Sequence, residues 1–528
     1  MSNNYLINPS FSLKKALFHE HPSLTLNQLM AVFLLGFALI YLLIPSLCYQ
    51  SILPDSAQNL SWGHTWSWSY NRHPPLGTWL LSFMSMISAN NEVATFSASV
   101  LCLSVSLFFI FLMAKRYLST QDAFVASILS SFSLYYLNNF VLQFNQNTIM
   151  LPFWIMIGYF TDRCLHTNKT KDWIFLGIVT AGALLAKYES SLIIFIALMY
   201  LVWHFEYKFL FKLLLALAVS LVLLAPHLIS VAQHGFLTLE FIHGKVNEGQ
   251  NHSVLYTHLF YPLKALYEQL CHLLPALVLT GLLVRNKTVI KSSAPFDNTK
   301  KNYLVYLGIA PLCLVILLSA VFGLKIQPEW GFPLFSFTIP AIMSFFQLKS
   351  KSALLKPLLC AALAIHSTSL ITYMSVNYFS PKFTRTNNPS YELAKDAQSY
   401  WNQFTAEPIR YVAGDENYDY YLSAYLPTKP LLLEAFSIKL SPWINKVDLK
   451  KSGFIIVVEG CNKKRLKDLQ ARYVATSYQC IKKPLSNKFR EQLKSFALLV
   501  VPPLQPNHDL ASSIAVGHKV IDKGGREG

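Results

Sequence analysis

Tyr70-Asn71-Arg72-His73-Pro74-Pro75 runs directly into Leu76-Gly77-Thr78-Trp79-Leu80-Leu81-Ser82-Phe83-Met84-Ser85-Met86-Ile87-Ser88. The second half is apolar, yet at about thirteen residues it is too short to cross a bilayer, which takes about 20. It is therefore read as an amphipathic helix lying on a membrane surface, started by the proline pair. That reading decides the topology, because one more crossing here would invert every later loop.

The surroundings make it a membrane question. The chain has 528 residues, 53% hydrophobic and only 13% charged, with a mean hydropathy of +0.36. A soluble protein of this length carries about twice that charged fraction. Apolar runs recur at 28–48, 93–114, 122–142, 147–162, 172–187, 189–204, 209–232, 259–284, 303–324, 331–347 and 353–377. This predicts a polytopic α-helical membrane protein with about 11 spans and no cleavable leader.

Charge supports the short surface helix. With residues 1–27 cytoplasmic, one set of loops holds Lys14, Lys15, Lys115, Arg116, Arg163, Lys169, Lys171, Lys208, Lys212, Arg285, Lys287, Lys291, Lys300, Lys301, Lys349, Lys351 and Lys356. The opposite set holds only Arg72, Lys187, Lys245 and Lys325, with Lys264 at a span boundary. This is the positive-inside pattern, and it also accounts for the net charge of +17 without nucleic acid, for which no recognition motif exists. The few basic residues expected outside, one per loop, call for an anionic ligand.

From Ser380 the composition turns to that of a soluble domain. A helix is expected at Tyr391–Phe404, strands at Ile409–Gly414, Phe454–Gly460, Tyr473–Ile481 and Phe496–Pro502, and a helix near Lys463–Arg472. The expected organisation is a membrane domain at 28–379 with an outer loop at 49–92, an extracytoplasmic α/β domain at 380–505 and a disordered tail at 506–528. Of eight cysteines, Cys461 and Cys480 fall in the soluble part and would pair in an oxidising compartment. No internal repeat is found.

Several residues in the outer set are suited to chemistry. Asp55, just past the first span, is either a helix N-cap or a general base taking a proton from an acceptor hydroxyl. Trp62, Trp66, Trp68 and Tyr70 are either an interface belt or a sugar-stacking surface. The prolines after Arg72-His73 fix that pair in an extended presentation, suited to a phosphate or simply to a rigid solvated turn. Lys187, amid apolar residues, is a functional cation or a partner of Glu189 that reaches the interface. His234, His243 and His252 follow no common metal-binding spacing, so neither a metal nor another cofactor is expected. Lys325, Glu329 and Trp330 could close the same cavity.

An acid after the first span, an aromatic loop and then His73-Pro74-Pro75-Leu76 opening a surface helix resemble the polytopic GT-C glycosyltransferases. The likeness is to the bacterial branch labelled family 39, or RgtA/B/C/D-like, whose relatives include lipid A aminoarabinose transferase and the protein O-mannosyltransferases. Asn147-Thr148-Ile149 to Phe153-Trp154, Leu185-Ala186-Lys187-Tyr188, Pro328-Glu329-Trp330 and Tyr411 to Asp415 resemble further family elements in the same order.

The resemblance implies an inverting transfer from a polyprenyl-phosphate-linked sugar to a lipid A, lipopolysaccharide or other envelope glycan, less readily to protein, on the periplasmic side of a bacterial inner membrane. Asp55 would be the base; Arg72, His73, Lys187, Tyr188, His243 and Lys245 would bind the donor; Tyr70, Asn147, Lys325, Glu329 and Trp330 would line the cavity or meet the acceptor. The chain is expected to act as a monomer among membrane lipids. Asn147 stands where relatives often carry an acid and Glu329 where they often carry His. A transporter or flippase of lipid-linked sugars is the alternative; it would favour repeats and broken helices at the midplane, whereas here the polar residues gather in outer loops.

Overall fold

The computed structural model describes residues 25–49, 51–137, 142–204, 206–246, 252–285, 289–291, 298–348, 354–384, 387–475, 477–484 and 491–503. The expected N-terminal segment lies mostly outside these residues, and the expected tail wholly so. Six helices among the described residues are long and apolar enough to cross a membrane: Leu26–Cys48, Asn91–Ala114, Tyr207–Gln233, Tyr256–Arg285, Asn302–Phe322 and Leu355–Tyr378. Gln146–Thr167, Thr170–Ala186 and Ser191–Trp203 are further helices of the bundle.

Two expected spans are corrected. The run at 122–142 is a helix Thr120–Ser130, a turn and a single turn of helix at Leu134–Leu137. Ser130, Ser131 and Ser133 lie at the break, and the first two return their hydroxyls to carbonyls at Ala126 and Ile128, a local bond that competes with helix continuation. The run at 331–347 holds only the short helix Thr338–Met343; Pro333, in the turns before it, removes a backbone donor. Its end, β2 (Phe346–Leu348), pairs antiparallel with β1 (Val289–Lys291).

Leu76–Ile87 is a 12-residue helix that buries Gly77, Thr78, Leu81 and Ser82 while exposing Phe83, Met86 and Ile87. It packs on the helices Pro54–Gly63 and Asn91–Ala114. The approach is close: a Cβ at Gly63 would collide with the Ser82 side chain.

The C-terminal domain is a five-stranded mixed sheet, ordered β4 (Leu431–Leu433), β3 (Tyr411–Gly414), β5 (Phe454–Glu459), β7 (Leu493–Val501), β6 (Gln479–Pro484). β3 is parallel to β4 and β5, while β7 is antiparallel to β5 and β6. Alternation along each strand gives the sheet two apolar faces. Val412, Ile455, Val457, Phe496 and Leu498 join a core continuous with the membrane bundle, through the helices Ser390–Trp401 and Tyr418–Tyr425. Ala413, Ile456, Val458, Ala497 and Leu499 form a second core on the far face.

The expected strand at Tyr473–Ile481 is also corrected. The helix Lys463–Tyr473 runs through Tyr473, Val474 takes a left-handed conformation beyond it, and the strand begins at Gln479. Cys461 and Cys480 are disulfide-bonded, with Cα atoms 6.0 Å apart, tying the start of that helix to edge strand β6.

Candidate active site

The stretch after the first span folds as a helix, Pro54–Gly63, with Pro54 at its first position and Leu53 as N-cap. Asp55 therefore sits in the first turn and is not the cap. This helix is polar yet almost wholly buried between the bundle and the C-terminal domain. Its side chains are bonded on both sides: Ser56 to the Phe144 carbonyl at 3.0 Å, Gln58 to the Tyr420 hydroxyl at 2.8 Å, and Asn59 from Thr78 and Gln146 at 3.0 Å each. Buried polar groups persist only when so paired.

Asp55 faces the turn that opens helix Gln146–Thr167. Its Oδ2 accepts from Gln143 and, at 3.1 Å, from Asn145. Asn145 is also that helix's N-cap, its Oδ1 accepting from the amides of Asn147 (3.0 Å) and Thr148 (3.2 Å). One residue pair further, Asn147 Oδ1 accepts from Lys187 Nζ at 2.6 Å. Lys187 ends helix Thr170–Ala186, is paired with Glu189 and lies 5.7 Å from the centre of the Trp330 ring. The acid and the half-buried cation, 132 positions apart in the chain, thus share one run of amide groups.

A second cationic group gathers on Phe241, from the helix Leu237–Val246. The Arg72 guanidinium lies 5.4 Å from the ring centre, Lys245 Nζ 6.0 Å, and the His73 ring meets it edge-on at 5.9 Å. Arg72 also takes a two-pronged hold on Glu416 of the C-terminal domain, at 2.6 and 3.2 Å. Burial, then the positive charges of Lys187 and Arg72, lower the His73 pKa to about 3, so the ring is neutral at ordinary pH.

Other expected site residues stand elsewhere. Tyr70 is buried, stacked on Trp62 at 5.1 Å, and its carbonyl accepts from Thr238 at 2.7 Å. Tyr188 donates to His227 Nε2 at 2.6 Å, because His227 Nδ1 is committed to the Trp68 carbonyl. Both hold the loop by these bonds. His243, Lys325 and Glu329 are exposed. His234 bonds Ser69 at 3.0 Å and the His252 ring lies tilted 4.7 Å from that of Tyr256, each with its own partner. Of the aromatic run, Trp62 is fully buried while Trp66 and Trp68 are exposed.

Residues not singled out from the sequence are the amide ligands of Asp55. Asn145 had a signal, a capping residue just before an apolar helix; Gln143 had none. Glu416 and Glu434 reach the site from the C-terminal domain, and nothing local marks them.

Residues 72–229 match the family model described as dolichyl-phosphate-mannose-protein mannosyltransferase. The match begins at Arg72 and includes His73, Asn147 and Lys187. No curated protein matches the chain in sequence. Among solved structures, ArnT from Cupriavidus metallidurans bound to undecaprenyl phosphate superposes with a TM-score of 0.57 at 12% identity, covering 91% of this chain and 99% of that one. The same enzyme in the apo state gives 0.54 over the same shares. At that identity the likeness is one of fold, and it runs through both the bundle and the C-terminal domain. The chain thus shares its fold with ArnT and, over residues 72–229, is similar in sequence to the mannosyltransferase family.

Proposed function

We propose that the protein is an inverting glycosyltransferase that moves a sugar from a polyprenyl-phosphate donor to an envelope lipid or glycan, lipid A or lipopolysaccharide before protein. The observation that carries this is the run Asp55–Asn145–Asn147–Lys187, which sets a carboxylate and a cation on one polar network beside the C-terminal domain. Asp55 takes the proton from the acceptor hydroxyl as its oxygen forms a bond to the anomeric carbon. The bond from that carbon to the phosphate oxygen breaks, and polyprenyl phosphate leaves with the electron pair. Lys187, Arg72 and Lys245 offset the charge that develops there, and neutral His73 is available as a hydrogen-bond donor. Asn147 and Glu189 hold the Lys187 ammonium in place.

A lipid phosphate as the donor's carrier is supported by the fold shared with an enzyme crystallised with undecaprenyl phosphate. A multi-pass protein of a bacterial inner membrane, with this site and the C-terminal domain on the periplasmic side, is supported by the loop charges and by the disulfide. The test is release of free undecaprenyl phosphate from undecaprenyl-phosphate-linked pentose and hexose by the protein in vesicles containing lipid A. Acceptor-dependent release supports the reading. Passage of donors across the bilayer with no bond broken would replace it by transport.

A further inference from the structure

The loop that carries Arg72 and His73 is held by a carboxylate from the other domain. Glu434 is buried at 2% exposure and accepts from Trp62 Nε1 at 2.7 Å and from Asn71 Nδ2. Trp62, itself fully buried, stacks on Tyr70 and lies 6.0 Å from the His73 ring. Asn71 directly precedes Arg72 and also donates to the Leu440 carbonyl at 3.1 Å. The segment after Glu434 therefore wraps Asn71 on two sides.

Three further features bear on what this is for. Ala435 and Phe436 follow Glu434 with φ of 47° and 55°, a left-handed pair without glycine, which a chain keeps only where the surroundings enforce it. The Glu434 amide donates to buried Ser441 at 2.8 Å, closing the segment on itself. Lys439, from the same segment, reaches Glu240 at 2.9 Å, on the helix that carries Phe241 and Lys245. One stretch of the C-terminal domain thus touches both halves of the cation group. A buried carboxylate is a costly way to dock two domains, and apolar contacts already join them here.

We propose that the C-terminal domain is part of the donor site, with Glu434 as a positioning residue. It fixes Trp62 and Asn71, and through them sets Arg72 and His73 against Phe241 for a lipid-linked phosphate. The phosphate in this statement rests on the proposed function; the hold on the loop does not.

The experiment uses the full-length protein in nanodiscs, with undecaprenyl phosphate as the probe and hydrogen exchange of the amides of residues 69–73 as a second readout. Glu434→Ala is expected to weaken probe binding about tenfold or more, as small misplacements of binding groups do, and to speed exchange in the loop. Asn71→Ala reproduces the loss, and the double variant loses no more than the worse single, as for two ends of one bond. Glu434→Gln, which keeps an acceptor oxygen, falls between; Glu407→Gln, an exposed carboxylate on the same domain, matches the parent. Folded Glu434→Ala protein with parental exchange overturns the proposal. So does faster exchange with unchanged probe affinity while Arg72→Ala abolishes binding. If the parent does not bind the probe, the donor reading fails and the phosphate role falls with it, an outcome recognisable because the exchange data stand apart.

Discussion

Lys187 donates to the Asn147 side-chain oxygen across 2.6 Å, while its other partner is the Glu189 carboxylate. The GT-C resemblance expects an acid at 147, which would give this ammonium two carboxylates. With an amide there, Lys187 keeps a single charged partner, as the proposed role in binding a phosphate requires. The amide also leaves Asn147 on the same helix turn as Asn145, so the cation and Asp55 are coupled through neutral groups.

Removing the ammonium should therefore act on binding first. Lys187→Met is expected to weaken undecaprenyl phosphate binding by about 1.5–3 kcal/mol, the range for a hydrogen bond to a charged group. Glu189→Gln should tighten it several-fold by removing a competing anion. Equilibrium binding in nanodiscs separates these, and equal affinity in both variants contradicts the assignment.

Asn145→Ala tests the orientation of Asp55. Loss of an N-cap costs about 1 kcal/mol of stability, and the lost donor to Asp55 lets the carboxylate turn. A fall of about 10- to 100-fold in turnover is expected, of the order seen when a reacting group is misplaced, with the affinity for undecaprenyl phosphate unchanged. A change confined to affinity would place Asn145 in donor binding instead.

How much of this was legible in the sequence depends on the range of the interaction. The short helix at 76–87 followed from its length and from the prolines before it, both local properties. The broken runs after Ser130 and around Pro333 read as spans because hydropathy averages over the serines and the proline that stand in them. The polar helix Pro54–Gly63 read as a loop, since its apolar content is low. It is helical and buried because Tyr420 and Glu434, more than 350 positions away, satisfy its side chains. The strand expected at Tyr473 was displaced by a helix that runs one residue further before Val474 turns it. Glu416 and Glu434 sit in ordinary soluble sequence, and only the docking of the two domains gives them a part.

The histidines of the loop make stability depend on acidity. His73 is lowered to about 3, first by burial and then by Lys187 and Arg72, and His64 to about 4, mainly by burial. Each takes up a proton on unfolding below about 6.5, so the stability present above that pH is lost as pH falls toward the folded values. The loss is about 1.4 kcal/mol per pH unit for each group. Thermal unfolding of His73→Asn should show a shallower decline from pH 6.5 to 5 than the parent. A parallel decline would mean that His73 is not held neutral.

The disulfide should stabilise the C-terminal domain. It closes a separation of 19 residues between Cys461 and Cys480, worth about 3 kcal/mol in a chain-entropy estimate. Cys461→Ser with Cys480→Ser, or treatment with reductant, is expected to lower the unfolding temperature of that domain. No shift under reductant would show that the bond contributes nothing.

The most direct test of Asp55 as the base is a paired mass analysis of lipid A, core and other envelope glycans from parent, deletion and Asp55→Asn cells. Loss of one sugar-sized mass is expected in both the deletion and the Asn variant, with the variant expressed at the parental level and still binding undecaprenyl phosphate. Retention of that mass in Asp55→Asn cells, with its loss in the deletion, would contradict the base assignment and move the protein toward carrying lipid-linked sugars rather than transferring them.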